Sequence, residues 1–338
     1  MKVLKFGGTS VANAENISKV IKILGSESKK NKIAVVVSAL GGTTDMLIEA
    51  GNLATNKDEK YIEVFQNIVN RHINTVEELI DNKNKQAVLN EVNTKLEELK
   101  QILQGLYLIN EFSNKTIDKI VSFGELLSSY IISEALQQTV KSASLKDSRE
   151  LILTDSTFTN ATVKTKETTT NISSFFKKNK DKIVVLPGFV SRNKNNETTT
   201  LGRGGSDYTA ALIASAVKAD VLEIWTDVSG MYTANPKLVK QAFPIEEISY
   251  QEAMELSHFG AKVLYPPTVH PALQKKIPIL IKNTFSPDEK GTLITKKGKD
   301  KKQNHRPRPR DKQDQRKSRN SDTATATQRA YRPCQIDS

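Results

Sequence analysis

Residues 32–45, KIAVVVSALGGTTD, carry the two features that decide the fold: a continuous apolar run and a glycine loop directly after it. A strand with consecutive apolar residues buries both of its faces, whereas a half-exposed strand alternates. Strands of this kind belong to parallel sheets that are covered by helices on each side. The stretch therefore predicts an α/β protein in which the loops after the strands form the ligand crevice.

The same pattern recurs along the chain, with helix-length segments between the apolar runs. Further runs are KVLKF (2–6), LILT (151–154), KIVVLPGF (182–189), VLEIWTDV (221–228) and IPILIKN (277–283). We expect a three-layer sandwich over residues 1–295, with helices on both faces of a mostly parallel sheet. Residues 58–138 have no strand signal and predict a mostly helical insertion, whose core-facing stripe is Leu89, Val92, Leu96, Leu99, Leu103 and Leu106.

The last segment, residues 296–338, differs sharply in composition. It carries a net charge of +9 out of the chain's total of +12, and apolar periodicity stops there. We therefore predict a disordered basic tail. A basic tail attracts nucleic acid electrostatically, but no recognition module accompanies it, so we do not expect specific nucleic-acid binding.

Cysteine content and hydropathy indicate the cellular compartment. Cys334 is the single cysteine, so neither an intrachain disulfide nor a cysteine-based metal site can form. The four histidines have no metal-ligand spacing, and we assign no protein metal site. The N-terminus lacks the apolar run of a signal peptide, and no apolar stretch reaches the ~18 residues of a membrane span. These features predict a cytoplasmic protein without a membrane partner.

The motif KFGGTS at the end of the first strand is a candidate phosphate-binding loop. Consecutive amides at Gly7 and Gly8 can curl round an anion, and Lys5 adds a positive charge beside them. Thr9 and Ser10 can then begin or cap the next helix. A tight strand-to-helix turn with a surface lysine explains the motif equally well when it is taken alone.

Two further loops offer glycines, hydroxyls and charge. SALGGTTD places a second pair of glycines after the second strand, together with the hydroxyls of Ser38 and Thr44. It matches neither a Walker A loop nor the G-x-G-x-x-G motif. In TTTLGRGGSDYTAALIASA (198–216), Arg203 can grip a carboxylate or phosphate, and Asp207 can accept from an ammonium group. Ser206 and Asp207 also look like the start of a helix, whose amides favour an anion.

Three other motifs add candidate side chains. In SFGE, Glu125 is suited to a cationic group, although a first-turn glutamate that complements a helix dipole fits its position as well. WTDVSGMYTANPK follows a strand and has side chains suited to a nucleotide, namely Thr226, Asp227, Tyr232, Asn235 and Lys237, although its composition is also that of an ordinary turn. SYQEAMELSHFGAKVLYPPTV offers Lys262 just after a helix-ending glycine.

Together these motifs resemble those of the aspartokinases, members of the amino-acid kinase family, in the same order and over residues 1–295. The kinase part of the bifunctional aspartokinase–homoserine dehydrogenases is the most similar variant. The resemblance implies a two-lobed kinase that transfers the γ-phosphoryl group of ATP to the β-carboxylate of L-aspartate with Mg, the first step towards lysine, threonine and methionine. The resemblance leaves open whether the chain forms a homodimer.

The resemblance also implies residue roles. Positions on the nucleotide or phosphate side are Lys5, Gly7, Gly8, Thr226, Asp227, Tyr232, Lys237 and Lys262. Positions on the aspartate side are Ser38, Thr44, Glu125, Phe189, Arg203, Ser206 and Asp207. Of these, the resemblance gives catalytic roles to Lys5, Asp207 and Lys262. The chain departs from the family pattern at Lys237, where an arginine is common, and at Tyr265, where a histidine is common.

Two other functions remain open from the sequence. One is another activity of the same family, directed at an acylated glutamate, carbamate or a nucleoside monophosphate. The other is an inactive truncated product that binds nucleic acid through residues 296–338. Because the basic tail stands where aspartokinases continue into regulatory domains, we expect no feedback inhibition by threonine or lysine and no dehydrogenase activity.

Overall fold

An eight-stranded sheet forms the centre of the described chain, which comprises residues 1–234, 238–258 and 264–298 of this computed structural model. The strands in chain order are β1 (Lys2–Phe6), β2 (Ile33–Val37), β3 (Ala143–Leu145), β4 (Ile183–Pro187), β5 (Val190–Arg192), β6 (Thr198–Thr200), β7 (Val221–Thr226), β8 (Glu247–Ser249), β9 (Ile279–Asn283) and β10 (Thr292–Thr295). Strands β5 and β6 form a separate hairpin, and the large sheet has the order β3-β4-β2-β1-β7-β9-β10-β8.

Neighbouring strands of the large sheet run parallel, except that β9 and β10 pair antiparallel. This confirms the prediction of an α/β fold with a mostly parallel sheet. Strand β1 lies between β2 and β7, with Lys5 opposite Val36 on one side and Ile224 on the other. The loops that follow β1, β2, β4 and β7 therefore leave the same edge of the sheet.

Nine α-helices lie in the described part of the chain. They are α1 (Ala14–Ser28), α2 (Thr43–Thr55), α3 (Lys60–Leu79), α4 (Asn82–Ile109), α5 (Asn114–Gln137), α6 (Thr165–Lys178), α7 (Gly205–Val217), α8 (Tyr250–His258) and α9 (Pro266–Gln274). Short 3₁₀ turns at Gly8–Val11 and Ser148–Glu150 connect strands to helices.

Both faces of the sheet are buried, as the continuous apolar strands predict. In β2, Ala34 and Val36 pack in a core with residues of α6, α7 and α9, whereas Ile33, Val35 and Val37 pack with residues of α1 and α5. All five side chains are fully buried. The sheet is thus the middle layer between two layers of helices.

Helices α2 to α5 share a third hydrophobic core of their own. Within α4, five side chains of the predicted stripe are buried, at Val92, Leu96, Leu99, Leu103 and Leu106. Leu89 is only half-buried, and Val88 takes the buried position one residue earlier. The helical segment therefore packs as a layer rather than presenting a free apolar face along this stripe.

One expected strand, LILT at 151–154, does not form. The amide of Ile152 donates to the Ser148 carbonyl, and the amide of Leu153 donates to the Thr168 hydroxyl, so neither can extend a strand ladder. Only isolated bridges occur, at Leu153 and Thr154. The strand at this edge of the sheet is instead β3, a three-residue element that the sequence reading missed.

Some predictions fall outside the described residues. Lys237 and Lys262 are among them, and so is the tail from residue 299 onward. The boundary at residue 295 and the disorder of the tail therefore stay predictions. No helix in the described residues is long and apolar enough to cross a membrane.

His72 is a fully buried histidine in α3. Its Nδ1 lies 2.7 Å from the Ile68 carbonyl oxygen, whereas its Nε2 has no hydrogen-bond partner among the described residues. Burial lowers the pKa of His72 to about 4, the backbone contact opposes that shift, and the charge of Arg71 adds to it. The folded protein therefore holds this side chain neutral.

We expect this burial to make stability depend on pH. Because the folded pKa lies below the unfolded value of 6.5, His72 contributes stability that is complete above pH 6.5 and is lost as the pH falls towards 4. Between pH 7 and 4.5, the unfolding free energy of the wild type should fall by about 2–3 kcal/mol more than that of His72→Leu. Urea unfolding measures both, and the exposed-site variant His270→Leu should behave like the wild type. Parallel pH profiles for wild type and His72→Leu would contradict the expectation.

Candidate active site

A cavity of about 350 Å³ opens beside the ends of β1 and β2. We call it the glycine-loop cavity, because glycines after β1, β2 and β6 form much of its wall. It brings together eight of the side chains and backbone positions predicted from sequence, namely Lys5, Gly8, Ser38, Thr44, Glu125, Phe189, Ser206 and Asp207. Residues more than 200 positions apart therefore meet in one site, as the order of the parallel strands requires.

Three helical elements begin at this cavity. They are the 3₁₀ turn at Gly8, α2 with its N-cap at Gly42, and α7 with its N-cap at Gly204. The first amides of a helix lack intrahelical acceptors, and the helix dipole places partial positive charge at the same end. The cavity wall therefore favours an anionic ligand.

Backbone conformation explains the glycine at position 204. Gly204 has φ of 72°, in the left-handed region that other residues rarely adopt. A Cβ atom there would lie 2.8 Å from Thr268 Cγ2 and 3.1 Å from Tyr265 Cδ1. The close approach lets α7 begin against the start of α9 and directs its first amides towards the cavity.

The first glycine loop differs in detail from the prediction. The amide of Gly7 donates to the Trp225 carbonyl at 3.2 Å, so it is not available to a phosphate. Gly8 and Thr9, as the first residues of a 3₁₀ turn, provide the free amides instead. The predicted role of Thr9 and Ser10 in capping the next helix is also wrong, because Asn13 caps α1 by accepting from the Asn16 amide.

Lys5 and Asp207 form an ion pair at the cavity wall. Lys5 Nζ lies 2.8 Å from Asp207 Oδ1, and each side chain is 13% exposed. Lys5 is on the central strand, and Asp207 is in the first turn of α7. The pair therefore joins the sheet to the helix start and leaves a cation and an anion side by side at the cavity.

Glu125 lies in the middle of α5, so the alternative of a first-turn glutamate is wrong. Its side chain is buried, and Oε2 has no hydrogen-bond partner within the described residues. Burial raises the pKa of Glu125 to about 8, although contacts with the Ala39 and Glu125 amides and the charge of Lys5 oppose that shift. The carboxyl is therefore largely protonated at neutral pH and has room for a cationic partner in the cavity.

Phe189 adopts an unusual backbone conformation at the cavity edge. Its φ of 66° lies in the left-handed region, which is uncommon for a residue with a bulky side chain. The Phe189 amide donates to the Thr209 hydroxyl at 3.1 Å, and a Cβ at Gly205 would lie 2.6 Å from the Phe189 ring. Contacts with the start of α7 thus hold the strained residue in place.

Arg203 does not line the cavity in this structure. The side chain is exposed, and its guanidinium carbon lies 5.3 Å from the centre of the Tyr265 ring. This is the geometry of a cation–π contact. Arg203 can therefore bind a substrate carboxylate, as predicted, only if its side chain moves away from Tyr265.

Three of the predicted nucleotide-side residues, Thr226, Asp227 and Tyr232, lie outside the cavity lining, whereas Lys5 and Gly8 are part of it. Thr226 is the last residue of β7, which pairs with β1, and its hydroxyl donates to Asp227 Oδ1 at 3.1 Å. Tyr232 pairs with Pro244 in an isolated bridge farther along the same loop. The structure thus places Thr226 and Asp227 beside the glycine-loop cavity rather than within it.

Asp118 is a residue that the sequence reading missed. It is fully buried on α5 and accepts from the amides of Thr159 and Thr200 and from the Thr200 hydroxyl, at 2.6–3.0 Å. Thr200 ends β6, two residues before the glycine loop at Gly202. An acidic residue seven positions before Glu125, on the same helix face, is a signal that could have revealed it.

Comparison with known proteins agrees with this geometry. The model of the amino acid kinase family matches residues 1–283. A bifunctional aspartokinase/homoserine dehydrogenase of Buchnera aphidicola is 37% identical over 297 residues, and the match covers 87% of this chain and 36% of the relative. Aspartokinase 1 of Arabidopsis thaliana is 35% identical over 301 residues, with 87% of this chain and 52% of the relative covered. The chain thus spans about a third to a half of the length of these relatives.

Solved structures of aspartokinases share the fold. Aspartokinase III of E. coli, in complex with aspartate and ADP, superposes with a TM-score of 0.80 at 33% identity, covering 89% of this chain and 65% of that one. Aspartate kinase of Clostridium acetobutylicum gives a TM-score of 0.72 at 31% identity, covering 88% and 63%.

We expect Asp118→Asn to destabilise the fold. An amide nitrogen in place of Oδ1 would face the Thr159 amide and the Thr200 hydroxyl, so that the hydroxyl loses its charged acceptor and the amides of Thr159 and Thr200 share the one remaining oxygen. The unfolding free energy, measured in urea, should fall by about 1–3 kcal/mol. Asp288→Asn, at an exposed position, is the matched control and should change little. Equal stabilities of the two variants would refute the role of Asp118.

Proposed function

The chain belongs to the amino acid kinase family, and from that premise we propose that it is an aspartate kinase. It transfers the γ-phosphoryl group of ATP to the β-carboxylate of L-aspartate and yields ADP and 4-phospho-L-aspartate. The aspartokinase of E. coli with a similar structure carries aspartate and ADP, and aspartokinases recur among the relatives by sequence.

The buried carboxyl of Glu125, whose Oε2 has no hydrogen-bond partner in the described residues, is the observation that carries the proposal. Such an acid favours a ligand that brings a positive charge to it. The starts of α2 and α7 favour negative charge in the same cavity. Aspartate meets both requirements, because it has one ammonium and two carboxylate groups.

The roles of the aspartate-side residues follow from these charges. We assign the α-ammonium group to Glu125 and the α-carboxylate to the amides at the start of α7 and to Arg203, once it has left Tyr265. Ser38, Thr44, Ser206 and Phe189 complete the wall around the substrate. The β-carboxylate is then free to face ATP.

The chemical step requires no general base in this proposal. A β-carboxylate with a pKa near 4 is ionised at pH 7, so its oxygen can attack the γ-phosphorus directly. That oxygen forms the new bond to phosphorus as the bond to the bridging oxygen of ADP breaks, and ADP leaves with the electron pair. The enzyme's task is to bring two anions together and to neutralise the charge on the transferred group.

Lys5 is the described residue best placed for that neutralisation. Its ammonium lies at the cavity wall beside the free amides of the Gly8 turn, and Asp207 holds it there. We place the phosphates of ATP near these groups and the rest of the nucleotide near Thr226, Asp227 and Tyr232. Roles for Lys237 and Lys262 rest on the resemblance alone, and we assign no phosphate contact to the Gly7 amide, which donates to the Trp225 carbonyl.

Mg²⁺ fits this site as an ion carried by ATP. No cluster of three or more metal-ligating side chains occurs in the described residues, and Mg²⁺ usually binds nucleotide phosphates while it keeps several waters. Asp207, which pairs with Lys5, is a carboxylate beside the proposed phosphates. When bound, the ion neutralises phosphate charge.

Other acceptors of the family fit the cavity less well. An acylated glutamate or carbamate has no ammonium group, so either would leave Glu125 without a partner. A nucleoside monophosphate would place a neutral sugar and base there. Glu125 therefore favours a free amino acid over these alternatives.

A hydroxamate assay tests the proposed reaction. With ATP and Mg²⁺, the purified chain should form an acyl phosphate from L-aspartate that hydroxylamine traps, whereas N-acetyl-L-glutamate and uridine monophosphate should give no product. Lys5→Met should lower the rate by about 10²-fold or more, since it removes a preorganised charge from the transition state.

A matched control is Lys2→Met, which changes a lysine of the same strand that pairs with Glu27 and Glu223 away from the cavity. It should keep most of the activity. Turnover of N-acetyl-L-glutamate in preference to L-aspartate would overturn the proposal, as would full activity in Lys5→Met.

Aspartate binding should also release a proton at pH 7. Glu125 has a raised pKa of about 8 in the free protein, and an adjacent ammonium group favours its ionised form. Isothermal titration calorimetry in buffers of different ionisation enthalpy should give release of up to about one proton per aspartate.

Two glutamine variants identify the residue that releases the proton. Glu125→Gln should remove the release, whereas Glu134→Gln, at a half-buried position of the same helix outside the cavity lining, should keep it. The same release from Glu125→Gln as from the wild type would exclude Glu125 as the source.

A further inference from the structure

A second cavity, of about 470 Å³, lies between the start of α1, Met46 of α2 and one face of α3. We call it the α3 cleft. Its α3 wall consists of Asn67, Arg71, Asn74, Thr75 and Glu78. Steps of three and four residues place these side chains on one side of the helix. The proposed aspartate kinase reaction uses none of them.

Arg71 provides the positive charge in the cleft. Its Nη1 donates to the Gly41 carbonyl at 2.8 Å. A guanidinium has five N–H donors in a fixed fork, so this hydrogen bond leaves donors that match a carboxylate. No ion pair involves Arg71 in the described part of the chain.

Glu78 provides the negative charge two helical turns farther along. Its side chain is exposed, and none of the ion pairs in the described ranges includes it. The amide group of Asn74 lies between the two charged positions on this face. Along the axis of α3, Arg71 and Glu78 are separated by about 10 Å.

This arrangement fits a linear molecule with unlike charges at its two ends. We propose that the α3 cleft binds a small ω-amino carboxylate, whose carboxylate pairs with Arg71 and whose ammonium group pairs with Glu78. The Asn67 and Asn74 amides can donate to or accept from polar groups of the same ligand. Met46 covers its methylene chain.

The cleft shares a wall with the glycine-loop cavity. Ala12 lines the cleft, and Gly41 lines the cavity. The two residues pack so closely that a Cβ on Gly41 would lie 3.0 Å from Ala12 Cβ. A carboxylate bound to the remaining donors of Arg71 shares the guanidinium with the Gly41 carbonyl and therefore acts on the loop that forms the cavity wall. Occupation of the cleft thus changes ligand affinity in the cavity.

Calorimetry with three probes of equal length tests the binding site on the full chain. 5-Aminopentanoate should bind, whereas pentanoate and pentylamine, which each lack one charge, should bind at least tenfold more weakly or not at all. Equal affinity for pentanoate would overturn the pairing with Glu78. The absence of saturable binding by 5-aminopentanoate would overturn the site.

Variants test which residue pairs with each charged end of 5-aminopentanoate. Glu78→Gln should weaken 5-aminopentanoate binding about tenfold, which corresponds to the loss of one charge-assisted contact. Glu63→Gln, at an exposed position of α3 outside the cleft lining, should leave the affinity unchanged. Arg71→Gln should remove binding, and Glu125→Gln should not affect it, because Glu125 lies in the other cavity. Loss of binding in Glu125→Gln would overturn the assignment to the cleft.

The coupling is measured by titrating L-aspartate with and without saturating 5-aminopentanoate. The apparent affinity for aspartate should change severalfold in the wild type when the probe is added, and the same probe concentration should not change it in Arg71→Gln, which no longer binds the probe. An unchanged affinity in the wild type overturns the coupling. A chain that binds 5-aminopentanoate but no aspartate counts instead against the proposed kinase function.

Discussion

The ion pair between Lys5 and Asp207 is the contact around which the site is arranged. It joins the central strand β1 to the first turn of α7, and both side chains are mostly withdrawn from water. Removal of either partner leaves a charge in a poorly solvated place, which is costly. The pair therefore fixes the start of α7, with the glycine backbone at 204–205, against the end of the central strand.

Two of the acidic side chains that line the cavity, Asp207 and Glu125, have different surroundings, and this difference gives the cavity chemical selectivity. Asp207 has Lys5 at 2.8 Å, whereas Glu125 has an oxygen without a partner in the described residues and a raised pKa. A ligand gains by supplying a cation to Glu125 and anions to the helix starts nearby. In the proposed reaction the nucleophile is already ionised, so the site requires no histidine as a base.

Local sequence patterns predict the central strands and the glycine loops, because a buried strand and a left-handed turn each restrict neighbouring residues. They do not predict contacts between distant segments. The Asp118 carboxylate accepts hydrogen bonds from residues 41 and 82 positions away in sequence. The Gly7 amide donates to a carbonyl of another strand. The Ile152 amide likewise donates to the Ser148 carbonyl in a local turn, so the strand expected there does not form. The cavity's composition follows from sequence, whereas its internal hydrogen bonding requires the fold.

Helix α5 belongs to two hydrophobic cores at once. Ile132 and Leu136 pack under the sheet, whereas Phe123, Leu127 and Ile131 pack with α2 to α4. The helical insertion is therefore not a detachable module. A recombination event that exchanged the whole insertion between related chains would also replace part of the packing beneath the sheet, and a crossover just before α5 would divide both cores between the two parents.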